Sequence, residues 1–381
     1  MRILVWQWGR RGAGPRVAVE LATGLGQVPG VEAVLSLSTG AELLRGAAPP
    51  RCELPVPTYE SVGGFLRRLL TVPFAVGSLS RRVRALRADL ALCAMPAPLD
   101  LLMMRALRRA GVPAIVVVHD ADMHPGDGLP FQMALQRKQT REANALVALT
   151  GHVAARLREQ GLTGPGAHLG EGGKPLFMAS LPPLVFGPPP PPPGNHGGRL
   201  RLLSFGRLLP YKGLDLLAEA LRLLGPAPGM DIRIVGSGPE SATLDALRAL
   251  PWVSVENRWV PEEEVGSLLA WADALVLSHR EASQSGVAAA AVAARRWVVA
   301  TRVGGLAEQL QGEPLARLCE PEPASLAAAL GGLVDDPPVT DPATRDPRAA
   351  WREVAETLVR QIEQDVLGHR RGATALNAAT A

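Results

Sequence analysis

Aromatic residues make up only 4% of the chain, with six Phe, seven Trp and two Tyr. Base-stacking surfaces are built from such rings, and no aromatic-interleaved RNA-binding pattern occurs, so nucleic acid is not an expected partner. Cysteine is equally sparse. Cys52, Cys93 and Cys319 share no CxxC or other metal-ligand spacing, which argues against a disulfide framework and for reduced thiols in a cytoplasmic protein. No apolar run reaches the roughly 18 residues that a membrane-spanning helix needs. Met1 leads into an apolar, strand-like run rather than a signal peptide. Lysine stands only at positions 138, 174 and 212, so nearly all the cations are arginine.

What is present is ordinary for a globular chain: 47% hydrophobic and 20% charged residues over 381 positions, enough for two domains with real cores. Charge is unevenly spread. Residues 1–180 hold 21 Lys and Arg against 13 Asp and Glu, whereas the remainder holds 19 against 23. A basic first half favours an anionic partner.

Short apolar runs alternate with helical patterns throughout. In the first half "RILVW" (2–6), "AVLSL" (33–37), "LALCAM" (90–95), "AIVVVHD" (114–120) and "ALVALT" (145–150) read as buried strands. In the second half "RLRLLSF" (199–205), "DIRIVG" (231–236), "WVSVEN" (252–257), "ALVLS" (274–278) and "WVVAT" (297–301) do the same. Continuous apolar runs between helices imply parallel sheets covered on both faces. The expected class is α/β, two Rossmann-like doubly wound domains facing across a cleft. Six consecutive prolines within "SLPPLVFGPPPPPPGNHGG" (180–198) suit a semi-rigid linker better than a helix or central strand. The expected division is a first domain at 1–184, a linker at 185–198, a second domain at 199–344, a C-terminal helix at 345–368 that packs back on the first domain, and a frayed tail at 369–381.

Ligands of doubly wound sheets bind beyond the carboxyl ends of the strands, which directs attention to the loops there. In "FGRLLPYKGLDLLAEALRLL" (205–224), Gly206 permits the turn and Arg207 and Lys212 flank the loop before a helix anchored by Leu214, Leu217, Leu221 and Leu224. Two cations at a helix N-terminus suit a diphosphate, Arg as a planar fork and Lys as a point charge. A solvated turn carrying cations by chance is the plainer alternative. "IVGSGPE" (234–240), "SHREASQSGVAAAA" (278–291) and "ATRVGGLAEQL" (300–310) supply further glycine-containing turns after strands.

The ordered set "FGRLLPYKGLD", "IVGSGPE", "NRWVPEEEV", "ADALVLSHREASQSGV" and "VATRVGGLAE" resembles the carboxyl domain of the family 4 (group 1) retaining glycosyltransferases, which have the GT-B fold, in a branch with "SQSG" at this position. "GRRGAG" and "VVVHDADMHPGD" match the amino half more loosely. The resemblance implies that Arg207 and Lys212 hold the donor pyrophosphate and stabilise the leaving diphosphate. It implies that Glu281 accepts hydrogen bonds from the donor sugar, that the backbone amides of Ser285 and Gly286 reach the phosphates, and that the turn near Asn257 and Arg258 lines the nucleobase pocket. Gly206, Gly236, Gln284 and Gly304 are further donor-site positions. Gly12 and Gly14 would let the first domain's loop approach the diphosphate, and His119 would face the sugar. No Asp-x-Asp motif is expected at a strand end to hold a divalent metal, so metal independence is expected, with no cofactor beyond the nucleotide-sugar co-substrate.

One departure stands out. The family's second Glu, eight positions after Glu281, is Ala289 here. It motivates an alternative, a catalytically silent nucleotide-sugar-binding or scaffold protein; a nucleotide-sugar epimerase on the same fold is another. The acceptor is expected to be a saccharide, a lipid-linked molecule or a small molecule. Residues 63–87, with Phe65 and Phe74 beside Arg67, Arg68, Arg81, Arg82, Arg84 and Arg87, read either as a core helix with a solvated basic face or as a peripheral contact with an anionic membrane at its inner face.

Overall fold

A computed structural model describes the chain except for residues 60, 125, 127–131, 165–172, 193–195, 226–228, 336–345 and 368–381, and except for the side chains of 62 and 66–73. The expected tail at 369–381 lies outside the described residues. The chain divides into two compact units. The first comprises Met1–Asp122, Leu129–Ser180 and the stretch from Arg348 onward; the second comprises Met123–Gly128 and Leu181–Pro347.

The first unit runs β1 (Arg2–Gln7), α1 (Ala13–Gly26), β2 (Glu32–Leu37), α2 (Val62–Leu86), β3 (Leu90–Cys93), α3 (Asp100–Ala110), β4 (Ala114–Val118), α4 (Gln132–Glu142), β5 (Ala145–Ala148), α5 (Gly151–Glu159) and β6 (Leu176–Met178). Its six strands form one parallel sheet in the order β2-β1-β3-β4-β5-β6. Ile3, Leu4, Val5 and Trp6 are all fully buried, as the unalternating apolar run demands when helices cover both faces. Leu79 and Val83 anchor the C-terminal half of α2 in the core, while Phe74 is 85% exposed.

The second unit runs β7 (Leu200–Arg207), α6 (Leu214–Leu223), β8 (Met230–Ser237), α7 (Ala242–Arg248), β9 (Val253–Asn257), α8 (Glu262–Trp271), β10 (Ala274–Leu277), α9 (Gly286–Ala293), β11 (Trp297–Thr301), α10 (Gly304–Leu310), β12 (Ala316–Cys319) and α11 (Pro323–Asp335). Its parallel sheet has the order β12-β11-β10-β7-β8-β9. The short strands β6 and β12 were not legible as apolar runs. The last helix, α12 (Pro347–Ile362), belongs with the first unit. There it crosses α1 at Gly24, where a Cβ would lie 2.7 Å from the Trp351 carbonyl oxygen.

The division falls at Ser180/Leu181, ahead of the expected linker, and the residues that follow pack on the second unit. Leu184 N–H donates to the Ala289 carbonyl at 3.1 Å, and Gly266 of α8 leaves no room for a Cβ beside the Phe186 carbonyl. Among the described residues, no helix is long and apolar enough to cross a membrane.

Candidate active site

The order of the second sheet reverses at β7, which pairs with β10 on one side and β8 on the other. Loops leaving β7 and β10 therefore emerge side by side at the topological switch point, where doubly wound sheets bind ligands. Gly206 has φ 124°, open to glycine alone. Opposite it, a Cβ on Gly236 would sit 1.6 Å from the Gly206 carbonyl oxygen. The close approach of β7 and β8 thus accounts for glycine at 236 without any ligand.

After β7 the chain makes a single 3₁₀ turn, Pro210–Lys212, and enters α6 through Gly213 at φ 65°. A Cβ at 213 would lie 1.9 Å from the Ser278 carbonyl oxygen, so glycine here sets how closely the two loops can approach. Hydrogen bonds then lace them together. Arg280 N–H donates to the Tyr211 carbonyl at 2.9 Å, and Ser278 Oγ donates to the Lys212 carbonyl at 3.0 Å. Arg280 Nε also donates to Asp215 Oδ2 at 3.0 Å, which holds that carboxyl below its ordinary range.

On this scaffold the expected cations gather around one ring. Arg207 Nη2 donates to the Tyr211 hydroxyl at 2.9 Å, and Lys212 Nζ lies 5.1 Å from the ring centroid. Lys212 Nζ also lies 2.8 Å from Nε2 of His279, a ring only 2% exposed. His124, from the short segment grouped with this unit, stacks on Tyr211 at 4.6 Å and places Nδ1 3.1 Å from Glu281 Oε1. The structure so brings Arg207, Lys212 and Glu281 together. Tyr211, Gly213, His279 and His124 complete the group, and the first three were not singled out by pattern. Only their place in the "PYKG", "SHRE" and "HPG" loops pointed to them.

Other expected positions behave differently. Ser285 caps α9 with its hydroxyl, which accepts from Ala288 N–H at 3.2 Å. Its own N–H donates to Gln309 Oε1 at 2.7 Å, and its carbonyl accepts from Gln309 Nε2 at 3.0 Å. The Ser285 amide is therefore engaged by α10. Gly286, the first helical residue, retains the position of an N–H with no intrahelical acceptor. Gln284 precedes this cap, half-buried. Gly304 opens α10 at φ 43°, and the next amide, Gly305 N–H, donates to the Ala282 carbonyl. Ala289 is 3% exposed, so a carboxylate there would need a buried partner.

The turn after β9 also differs. Asn257 Oδ1 accepts from Gly238 N–H at 3.0 Å, while Nδ2 donates to the Gly238 carbonyl at 3.0 Å and to Glu240 Oε1 at 2.6 Å. Arg258 is held by Glu256, at 2.9 Å, and by Glu264, and its guanidinium is pushed further toward the charged form by those carboxylates. Both side chains hold the turn itself in shape.

In the first unit the sheet reverses at β1, between β2 and β3. Gly12 (φ 79°) caps α1. A Cβ on Gly14 would lie 2.7 Å from Gln7 Nε2, and Gln7 Oε1 accepts from Gly9 N–H at 2.9 Å. Gly9 and Gly14 therefore wrap a buried glutamine. His119 is 4% exposed, with Nε2 2.9 Å from the Ala94 carbonyl; burial lowers its pKa, and this bond places the ring proton on Nε2. It links the ends of β4 and β3. An Asp-x-Asp pair does follow β4, at Asp120 and Asp122, contrary to the reading above. Both Asp122 oxygens are engaged, by Arg156 Nε at 2.7 Å and Gln160 Nε2 at 2.9 Å. Among the described residues no three His, Cys, Asp or Glu side chains cluster as a metal site.

The sequence matches the family model Glycosyltransferase Family 4 over residues 14–165 and Glycosyl transferases group 1 over residues 199–336. A curated relative, glycogen synthase from Mycobacterium tuberculosis, is 32% identical over 185 residues, covering 46% of this chain and 44% of that protein. The chain thus spans less than half the length of the curated relatives it matches. Among solved structures, Anabaena HepE in complex with UDP and glucose superposes with a TM-score of 0.63 at 16% identity, over 98% of this chain and 100% of that one. Sucrose-phosphate synthase from Thermosynechococcus elongatus gives 0.61 at 14% identity, over 98% and 99%. The chain carries the GT-B fold, with a glycosyltransferase family 4 region in its first half and a glycosyl transferases group 1 region in its second.

Proposed function

We propose that this chain is a glycosyltransferase that moves a sugar from a nucleoside-diphosphate sugar to an acceptor hydroxyl, with retention and without a metal. The observation that carries the reading is the grouping of Arg207, Lys212 and Glu281 around Tyr211 and His124 at the switch point of the second sheet. Transfer breaks the bond from the anomeric carbon to a phosphate oxygen and leaves the electron pair on the diphosphate. Fixed cations neutralise that charge as it develops, here Lys212 and Arg207. Glu281 would accept hydrogen bonds from the sugar hydroxyls, in place of its contact with His124. HepE, solved with UDP and glucose, favours a uridine donor as the first to test. Retention rests on the family resemblance.

The acceptor is a saccharide, a lipid-linked molecule or a small molecule. Exposed Phe74 beside the arginines of α2 supports peripheral contact of residues 63–87 with an anionic membrane, at its inner face if the protein is cytoplasmic. A second reading, a silent nucleotide-sugar-binding protein, is favoured by Ala289 alone.

A thermal-shift panel of UDP, GDP, ADP, TDP and their sugars, with and without a chelator, tests the reading. Ligand at about 100 times its Kd stabilises by roughly 2.7 kcal/mol. One base series should raise Tm in the wild type and not in Lys212→Ala, with the chelator making no difference. Glu281→Gln should lower turnover while leaving binding of free nucleotide intact. Nucleotide binding without any transfer to a broad acceptor set would favour the silent protein.

A further inference from the structure

We propose that His279 is a positioning residue for Lys212, a buried acceptor that fixes the ammonium where the donor diphosphate is bound. The inference rests on the donor reading above and adds to it a residue that neither the sequence pattern nor the family matches assign.

The argument begins with the inventory of the two groups. An ammonium only donates hydrogen bonds, so at 2.8 Å from Lys212 Nζ the Nε2 of His279 must present its lone pair. The ring proton is then on Nδ1. Burial first, and the Lys212 charge second, hold the imidazole pKa well below its ordinary value, so the ring stays neutral. Nδ1–H has the Leu277 carbonyl nearby but makes no hydrogen bond of normal geometry. Burying a ring with an unsatisfied N–H costs stability that an apolar side chain would not. What the imidazole supplies in return is the Nε2 acceptor.

The acceptor is itself immobilised. Thr301 Oγ1, fully buried, donates to the His279 carbonyl at 2.6 Å. On either side Ser278 Oγ and Arg280 N–H tie this loop to Lys212 and Tyr211. The Tyr211 ring stands 6.3 Å from His279, edge on, and 5.1 Å from the ammonium. A lysine side chain loses rotamer freedom when it meets a ligand. Held in advance between a lone pair and a ring face, Lys212 meets a phosphate with less left to lose.

Two near-isosteric variants separate this role from packing. Gln can place Oε1 near the position of Nε2, whereas the shorter Asn reaches only the Nδ1 position. UDP affinity by calorimetry and kcat/KM with the donor sugar are measured for His279→Gln, His279→Asn, Lys212→Ala and Lys212→Ala/His279→Asn, each confirmed as folded by circular dichroism. The Asn variant should lose about 10- to 100-fold, the scale of a hydrogen bond to a charged group, and the Gln variant should recover most of it. In the Lys212→Ala background His279→Asn should cost almost nothing further, a non-additivity that a merely structural role would not produce. Equal behaviour of Asn and Gln, or a full additional loss in the double variant, overturns the positioning role and leaves the donor reading intact. Unchanged UDP affinity in Lys212→Ala overturns the donor reading and this inference with it.

Discussion

Both sheets are parallel and reverse their order at their first strand, yet their switch points are furnished in opposite ways. In the first unit the loops after β1 and β3 turn their polar groups inward. Asp100, fully buried, accepts from Ala97 N–H at 2.8 Å and from Gln139 Nε2 at 3.2 Å, and Cys93 Sγ lies 3.4 Å away. His119 is spent on the Ala94 carbonyl. In the second unit the loops after β7 and β10 hold their charges at the surface edge on neighbouring side chains, Lys212 on buried His279, Arg207 on the Tyr211 hydroxyl and Glu281 on His124. A doubly wound edge can therefore serve as an internal clamp or as a charged site. The difference lies in whether the polar groups are buried among one another or held in charged pairs at the surface.

The strongest way to break this comparison is to remove a charge from the second switch point. Lys212→Ala should lower kcat/KM by about 10²–10³, the scale for deleting one preorganised electrostatic group, with little change in Tm without ligand. An unchanged rate would show that the cations are surface ornament and that the two edges do not differ in kind.

The first switch point should answer to pH rather than to substrate. Burial raises the Asp100 carboxyl from 3.8 to about 7. Between those values the unfolded chain releases a proton that the folded chain keeps, so this group's contribution to stability is full at low pH and is lost as pH rises to about 7. Asp100→Asn carries no such proton. Its Tm should gain on the wild type as pH rises through that window and then run parallel above it, with UDP affinity unchanged. Parallel profiles throughout would remove Asp100 as a buried acid.

The smallest effect concerns the turn after β9. Asn257→Ala deletes the side-chain clamp on Gly238 and Glu240 and should cost about 1 kcal/mol per net hydrogen bond, read as a modest fall in Tm. Preference among nucleotide bases should stay the same. A change of base preference would show that the Asn257 side chain itself contacts the base.

Much of this was legible in the chain. Strands such as 114–118 and 297–301 announced themselves as apolar runs, and the leucines of α6 marked a helix anchored at its start. Arg207, Lys212 and Glu281 were legible because charge stands out at the end of a buried strand. His279 and Gln309 were not. Their partners lie 67 and 24 residues away, and no local period reports such a pairing. Gly236 was legible as a glycine but not for its reason, since the closeness of β7 to β8 is not written in either strand alone.

By itself, then, the sequence determined the alternation of strand and helix, the two parallel sheets and the cations at their edge. Burial on both faces leaves a short apolar run few other places to go. Only the tertiary structure decided which partner each loop group takes. Ser285 lost its amide to Gln309 and Asn257 its side chain to Gly238, while Lys212 gained a buried acceptor. A hydrogen bond belongs to two groups at once, and these pairs meet only when the sheet order brings their loops together.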